Sequence, residues 1–245
     1  MDGGGRAIAV LSVIRAVAET GSTNADLLAL ARSGVEEGLW LRAERQTAGR
    51  GRQGRAWESP VGNFYGSTLV RLRPTDPDPA TLGFVAAVAL EQVVTGLSPT
   101  ASAVLKWPND LLIVGAKLSG ILLERAEDAV VVGIGVNLVH HPDLSDRPTT
   151  SLAAHGVRVG AEAFAEMLAD SFARWLERWR GEGFAPVRQR WLARAHPAGT
   201  ALTVRLPDGA VEQGLFDGLN ADGALILRLA EGARRVIHAG DVFLV

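Results

Sequence analysis

One short segment carries the densest chemistry in the sequence. Residues Gln46–Trp57 spell QTAGRGRQGRAW, where three arginines alternate with three glycines. So much glycine predicts neither a helix nor a strand, and it lets the backbone come close to a ligand. Arg50, Arg52 and Arg55 bring permanent positive charge and forked hydrogen-bond donors. This arginine loop favours an anion with carboxylate and phosphate groups. A nucleic-acid contact and a solvated basic turn are the alternatives.

Further polar residues stand at the ends of predicted strands, which are common positions for sites in a sheet flanked by helices. They are Ser22, Thr23 and Asn24, the segment Lys106–Asp110 followed by Lys117, and Asn137. Ser22 or Thr23 also suits the N-cap of a following helix, which is the purely structural interpretation. Together these residues offer neutral donors and acceptors to a polar uncharged group, and cations to a condensed anion. Asp110 is the carboxylate best placed to meet Mg²⁺ or an ammonium group.

Composition limits the class of protein. A chain of 245 residues fits a main domain of about 190 residues with a small appendage. The absence of cysteine excludes disulfides, thiolate metal sites and thioester relays. A net charge of −2 is unlike that of a dedicated nucleic-acid binder, which is usually strongly basic. No uncharged run reaches the roughly 20 residues of a membrane helix, so we predict a cytoplasmic protein with no membrane partner.

Hydrophobic patterning predicts the elements that position these residues. Predicted strands are Val10–Ala18, Leu39–Ala43, Asn63–Leu72, Ala103–Lys106, Leu111–Val114, Gly115–Glu124 and Val130–Leu138, and predicted helices are Asn24–Ser33, Ala80–Gly96, Ala161–Arg180 and Phe184–Arg194. This order indicates an α+β fold, with a mixed β-sheet packed against helices. The helix at Ala80–Gly96 is apolar nearly all round, which predicts that it is buried.

The composition changes near His196. Four short strands are predicted after it, at Thr200–Leu206, Ala210–Leu219, Gly223–Leu229 and Arg234–Ala239. Turn sequences rich in glycine and aspartate separate them, which is typical of a small β-barrel of about 50 residues. We therefore predict a catalytic domain over residues 1–195 and a β-barrel domain over residues 196–245.

At these residues the chain resembles the biotin protein ligases. The matching motifs, in the family's order and spacing, are Gly21–Asn24, the arginine loop, Lys106–Asp110, Lys117–Leu122 and Gly133–Asn137. The resemblance spans about residues 15–245, because the terminal strands resemble the family's SH3-like domain. It implies a catalytic domain of the class II synthetase-like, biotin/lipoate ligase type. About 20 residues precede Ser22, so we expect a form without the DNA-binding domain of some relatives, and no DNA partner.

The resemblance implies a reaction in two steps. Biotin's carboxylate attacks the α-phosphate of Mg²⁺-bound ATP to give biotinyl-AMP and pyrophosphate, and a lysine of a biotin carboxyl carrier protein then takes the biotinyl group. The implied catalytic residues are Lys117, Arg50 and Arg52. The implied biotin-binding residues are Ser22, Thr23, Asn24, Gln46, Arg50, Gly51, Arg52, Lys117 and Gly120. The implied ATP-binding residues are Arg52, Arg55, Trp57, Lys106, Asn109, Asp110, Lys117 and Asn137, with Asp110 as the candidate Mg²⁺ ligand. A homodimer is a further expected assembly.

Two features depart from the family or leave alternatives open. The family's adenine-covering loop follows the strand that ends at Asn137, but His140–Leu152 contains no tryptophan. The segment Thr149–Leu152 resembles a version in other members, so the residues that cover adenine stay open. A lipoate ligase or lipoyl/octanoyl transferase of the same fold is the nearest alternative; the arginine loop and the terminal strands favour biotin. A nucleic-acid binder and a biotin sensor without catalysis are the others.

Overall fold

The computed structural model describes residues 13–145 and 147–244, and these form two β-sheets and four helices. The strands of the large sheet are Val13–Thr20 (β1), Leu39–Gln46 (β2), Phe64–Arg71 (β3), Ala103–Lys106 (β4), Asp110–Ile113 (β5), Ala116–Ala126 (β6) and Ala129–Val136 (β7). The helices are Thr23–Arg32 (α1), Leu82–Leu97 (α2), Ala161–Glu182 (α3) and Phe184–Leu192 (α4). Residues 10–12 of the first predicted strand lie outside the described residues.

The large sheet is mixed, as the sequence predicts. Its strand order is β1-β2-β3-β7-β6-β5-β4. Strands β1 and β2 run parallel, since α1 returns the chain between them, and every other neighbouring pair is antiparallel. The prediction of an α+β fold with a mixed sheet is therefore confirmed.

The two faces of the large sheet pack against different helices. Helix α1 covers one face, where Leu27 packs with Leu41, Leu69 and Val131. Helices α2 and α3 cover the other face. They pack there against the alternate side chains of the same strands, such as Val132. Side chains alternate between faces along a strand, so odd-numbered residues of β7 face α1. The functional cavity described below lies on this α1 face.

Helix α2 is a core helix. With the short turn before it, Pro79–Leu97, it is long and apolar enough to cross a membrane, with a mean hydropathy of 1.6. However, 67% of its most apolar window is buried inside the structure, between the sheet and α3. Core helices pass the same test of length and composition. The prediction that this helix is buried is confirmed.

The C-terminal residues form a five-stranded antiparallel sheet. Its strands are Ala201–Arg205 (β8), Val211–Leu219 (β9), Leu225–Arg228 (β10), Arg234–Ile237 (β11) and Asp241–Leu244 (β12), in the order β11-β10-β9-β8-β12. The sequence predicted four of these strands and missed β12, which is short and begins with a charged residue. The error matters because β12 pairs with β8 and borders the functional cavity.

A partly buried ion-pair network fixes α3 to the sheet. Arg180 Nη1 and Nη2 donate to Glu37 Oε1 and Oε2 at 2.6 and 2.8 Å, and Nη2 also donates to the Arg71 carbonyl at 2.8 Å. Burial raises the pKa of Glu37, but the hydrogen bonds from Arg180 and the Arg71 backbone N–H, together with the charges of Arg180 and Arg73, outweigh it. The pKa of Glu37 therefore lies below its ordinary value, and the pair stabilises the fold while Glu37 is ionised.

We expect Arg180→Lys to lower the free energy of unfolding by about 2 kcal/mol at pH 7, because lysine cannot make the forked contact with Glu37. Since the folded pKa of Glu37 is depressed, its contribution is present above the unfolded pKa and is lost as pH falls through the folded value. The difference between variant and wild type should therefore shrink below about pH 4.5. Urea melts at several pH values measure it. The exposed Arg178, paired with Glu182 on the same helix, is the control: Arg178→Lys should cost almost nothing.

Candidate functional site

One cavity of about 390 Å³ lies on the α1 face of the large sheet, where that sheet meets the C-terminal sheet. Every residue proposed for the site from the sequence lines it. These are Ser22, Thr23, Asn24, Gln46, Arg50, Gly51, Arg52, Arg55, Trp57, Lys106, Asn109, Asp110, Lys117, Gly120 and Asn137. The arginine loop and Lys117 thus line one cavity, although they are far apart in sequence.

Neutral hydrogen-bonding groups line one end of the cavity, where β1 leads into α1. Gln46 Oε1 accepts from the Thr23 backbone N–H at 2.9 Å, and Gln46 Nε2 donates to Ser59 Oγ at 3.2 Å. Ser22 occupies the N-cap position of α1, but its side chain makes no capping hydrogen bond. Ser22 is thus the N-cap residue by position, as predicted, but its side chain does not cap the helix, and Ser22 also lines the cavity.

Three glycines form the floor of the cavity. A Cβ at Gly133 would lie 2.1 Å from Asn24 Oδ1, and a Cβ at Gly135 would lie 2.6 Å from the Trp57 ring. Gly120 faces Gly135 across β6 and β7, and its Cβ would lie 3.2 Å from the same ring. The missing side chains let Asn24 and Trp57 lie directly on the sheet. The buried Trp57 Nε1 lies against the sheet at Gly135 and has no hydrogen-bond partner.

Two lysines share one carboxylate at the other end of the cavity. Lys117 Nζ lies 2.5 Å from Asp110 Oδ1, and Lys106 Nζ lies 3.7 Å from Asp110 Oδ2. They are the only lysines in the sequence. Burial lowers the pKa of Lys106, and the charges of Lys117 and Arg147 lower it further, while Asp110 opposes them. Poorly solvated cations that outnumber their counter-ions favour the binding of an anion.

The donor set around Asp110 does not build a metal site from protein groups alone. Both oxygens of Asp110 face lysines. Within the described residues, no group of three or more histidine, cysteine, aspartate or glutamate side chains could hold a metal ion. Mg²⁺ is commonly held by one or two carboxylates together with substrate phosphates. The site therefore fits a magnesium ion that arrives on a nucleotide, and the role of Asp110 as its ligand stays a prediction.

The arginine loop is a small hairpin that closes onto both sheets. Arg50 pairs with Ala56, and the turn between them passes through Gln53 at φ 58°. Arg52 Nη1 donates to Asn109 Oδ1 at 3.4 Å and to the Gly240 carbonyl at 3.5 Å. Arg55 forms an ion pair with Asp241 at the start of β12. The loop is thus tied to the segment before β5 and to the C-terminal sheet.

The C-terminal sheet contributes residues to the cavity that were not predicted from the sequence. Asp241, Val242 and Phe243 of β12 line the cavity, and Lys106 Nζ lies 6.0 Å from the centre of the Phe243 ring. The only signal for them was a short apolar run after Gly240. Because β12 was not predicted, these residues were not considered.

Ser67 and Glu124 were missed as well. They lie behind the neutral end of the cavity, where Ser67 Oγ donates to Asn24 Oδ1 at 2.6 Å and Asn24 Nδ2 donates to Glu124 Oε2 at 2.8 Å. Both are polar side chains on the α1 face of their strands, β3 and β6, and that position was the available signal.

The segment after β7 passes beside Lys117. The Lys117 N–H donates to the Pro148 carbonyl, and the Thr150 N–H donates to the Lys117 carbonyl, both at 2.9 Å. Asn137 Nδ2 donates to the Thr150 carbonyl at 3.0 Å. Leu144 of this segment lines the cavity, where it contributes apolar surface but no aromatic ring. The contacts to adenine stay a prediction.

The fold and the cavity together define an α+β ligand-binding domain joined to a small β-module. Models of known protein families match both parts of the chain. Residues 17–138 match the Biotin/lipoate A/B protein ligase family, and residues 199–245 match the Biotin protein ligase C terminal domain.

Individual proteins to which the chain is similar indicate its family within this class. The chain is 43% identical to the biotin--[acetyl-CoA-carboxylase] ligase of Paracoccus denitrificans, over 93% of this chain and 98% of that protein. It is 37% identical to the enzyme of the same name from Mycobacterium tuberculosis, over 92% and 86%. The structure of the biotin protein ligase from Aquifex aeolicus in complex with biotin and ATP has the same fold, with a TM-score of 0.84 and 24% identity over 96% of this chain and 99% of that one. The chain belongs to the biotin protein ligase family.

Proposed function

We propose that this protein is an ATP-dependent biotin protein ligase. It activates biotin as biotinyl-5′-AMP and transfers the biotinyl group to one lysine of a biotin carboxyl carrier protein. The observation that carries the proposal is a single cavity with amide and hydroxyl groups at one end and two lysines and the arginine loop at the other. That arrangement matches a ligand with a neutral polar head and a carboxylate tail, placed beside a polyphosphate.

The neutral end of the cavity is the proposed site for the ureido head of biotin. The N–H and C=O groups of that head would be costly to bury unpaired. Ser22, Thr23, Asn24 and Gln46 supply partners of both kinds. Gly51 and Gly120, which line the same cavity, contact the rest of the ligand in this proposal.

The charged end is the proposed site of adenylation. Biotin's carboxylate oxygen attacks the α-phosphorus of ATP, and the bond to the pyrophosphate leaving group breaks. The two reactants are both anions, so their repulsion opposes the approach. Lys117, Arg50 and Arg52 offset it, and their contacts strengthen as charge builds on the phosphate. Asp110 holds the Lys117 ammonium in place until the anions bind.

The remaining cavity residues are the proposed nucleotide site. Lys106 and Asn109 face the phosphates, and Mg²⁺ enters with them as part of the substrate. Arg55, Trp57 and Asn137 complete this part of the cavity. The arginine loop covers the mixed anhydride and excludes water until the carrier lysine attacks its carbonyl and AMP leaves. In this proposal residues 1–195 form the catalytic domain, and residues 196–245 form the SH3-like domain that holds the loop closed.

Several expectations about partners belong to the same proposal. A cytoplasmic location, no DNA partner and a homodimer stay predictions from the sequence. Gel filtration with light scattering tests the dimer.

The deciding experiment measures biotin-dependent exchange of pyrophosphate with ATP, followed by biotin transfer to a carrier domain with Mg·ATP. We expect both reactions, and we expect no exchange with lipoate, because the relatives from Paracoccus denitrificans and Mycobacterium tuberculosis are named for biotin. Pyrophosphate exchange that depends on lipoate and not on biotin would show that the protein is a lipoate ligase instead. Biotin binding without exchange would make the protein a sensor. Steeply salt-dependent nucleic-acid binding without biotin binding would overturn the proposal altogether.

A further inference from the structure

A chain of hydrogen bonds lies behind the neutral end of the cavity and joins α1, β3 and β6. Thr23 Oγ1 lies 2.7 Å from Ser67 Oγ, Ser67 Oγ lies 2.6 Å from Asn24 Oδ1, and Asn24 Nδ2 lies 2.8 Å from Glu124 Oε2. Thr23 and Asn24 line the cavity, whereas Ser67 and Glu124 do not. This chain of hydrogen bonds therefore connects the wall of the cavity to the Glu124 carboxylate, which a ligand in the cavity does not touch.

The Glu124 carboxylate, at the end of this chain of hydrogen bonds, determines which group donates in each of them. A carboxylate only accepts, so the Asn24 amide must turn its NH₂ group toward Glu124. Asn24 Oδ1 then faces Ser67, whose hydroxyl has a single hydrogen and must donate it there. Ser67 Oγ is left as an acceptor, and the hydrogen for its contact with Thr23 comes from the Thr23 hydroxyl.

The Thr23 hydroxyl therefore has no hydrogen left for the cavity. Gln46 Oε1 lies 3.1 Å from Thr23 Oγ1, but it already accepts from the Thr23 backbone N–H at 2.9 Å and, as an amide oxygen, it can only compete for the same hydrogen. A lone pair of Thr23 Oγ1 remains, and Thr23 lines the cavity. Toward a ligand this hydroxyl can accept a hydrogen bond and cannot donate one.

We propose that Glu124 is a positioning residue that makes the Thr23 hydroxyl an acceptor for a ureido N–H of biotin. This inference rests on the proposed function and deepens it. Without a carboxylate at position 124 the Asn24 amide is free to turn over, and the hydroxyls of Ser67 and Thr23 reverse with it. The Thr23 hydrogen would then be free to turn to Gln46 Oε1 or into the cavity, and in the second orientation it would repel the ligand's N–H.

The test is Glu124→Gln, which keeps the shape of the side chain but can donate or accept toward Asn24. We expect the Kd for biotin to rise about ten-fold, with the KM for ATP unchanged. The decisive ligand is a biotin analogue that carries a methyl group on a ureido nitrogen, with each nitrogen modified in turn. Wild type should discriminate against one of these analogues, and the variant should lose most of that discrimination. A purely structural disturbance would weaken both ligands equally and keep their ratio.

Ser67→Ala gives an independent test, because it interrupts the same chain at another point. It should lower the discrimination in the same way, and the double variant should be little worse than either single one, since both act through one chain. If Glu124→Gln does not fold, the discrimination measured for Ser67→Ala tests the proposal by itself. Glu166→Gln, an exposed position on α3, is the control and should bind like wild type.

Two kinds of failure are distinguishable. If wild type does not bind biotin in calorimetry, the proposed function fails first. If wild type binds biotin but Glu124→Gln keeps both its affinity and its discrimination, only the role of Glu124 is overturned. Strictly additive losses in Ser67→Ala and Glu124→Gln would also overturn it, because they would show two separate effects.

Discussion

Lys117→Ala should abolish adenylation while leaving biotin binding largely intact. Lys117 Nζ lies in the cavity 2.5 Å from Asp110 and 5.7 Å from the centre of the Trp57 ring, between the neutral end and the proposed phosphate site. A cation there contributes most when the carboxylate and the phosphate meet, and less in the ground state. Loss of one preorganised donor costs about 10²–10³ in rate, and loss of a bridging charge should cost at least that. Biotin-dependent pyrophosphate exchange measures the loss.

The matched control for Lys117→Ala is Lys106→Ala. Both lysines contact Asp110, but Lys106 lies beside Phe243 at the C-terminal sheet. We expect its loss to raise the KM for ATP more than it lowers kcat. If Lys117→Ala forms biotinyl-AMP at a rate near wild type, the proposed bridging role of Lys117 is refuted.

The local motifs of this chain could be placed from the sequence because each one is short and lies at the end of a strongly patterned element. Strand β3 was predicted as Asn63–Leu72 and observed as Phe64–Arg71, and Gln46 lies at the end of β2. Errors of a few residues at strand ends did not move the polar residues out of the cavity. The resemblance added what patterning could not, namely that the separate motifs belong to one site.

Contacts between distant residues were beyond sequence reasoning. Periodicity places Ser67 and Glu124 on a face of their strands, but it does not say that Asn24 lies between them, 43 and 100 residues away in sequence. The same limit hid the contact of Arg55 with Asp241, since nothing in the last residues indicates which part of the large sheet they meet. The chemistry of the individual residues was predictable, whereas their neighbours depend on tertiary packing.

Arg52→Ala should bind biotin and form biotinyl-AMP, but release the intermediate. Arg52 ties the arginine loop to Asn109 on one side and to the Gly240 carbonyl on the other. Loss of two hydrogen bonds from a charged donor should raise the open fraction of the loop about 10–100-fold. Water then reaches the anhydride, and free biotinyl-AMP leaves the site. Release is measured by passing the loaded variant through a desalting column and following the adenylate that separates from the protein.

Asp241→Asn separates the role of Arg52 from a general loosening of the same loop. It removes the ion pair with Arg55, whose side chain is 42% exposed. Exposed pairs contribute little, so its adenylate should escape at most about five-fold faster than in wild type. A lysine-rich bystander protein gives a second readout of escape, because the only two lysines of this chain are both held against Asp110. If Arg52→Ala retains its adenylate as wild type does, the arginine loop is not a lid, and the reaction is protected from water by the cavity alone.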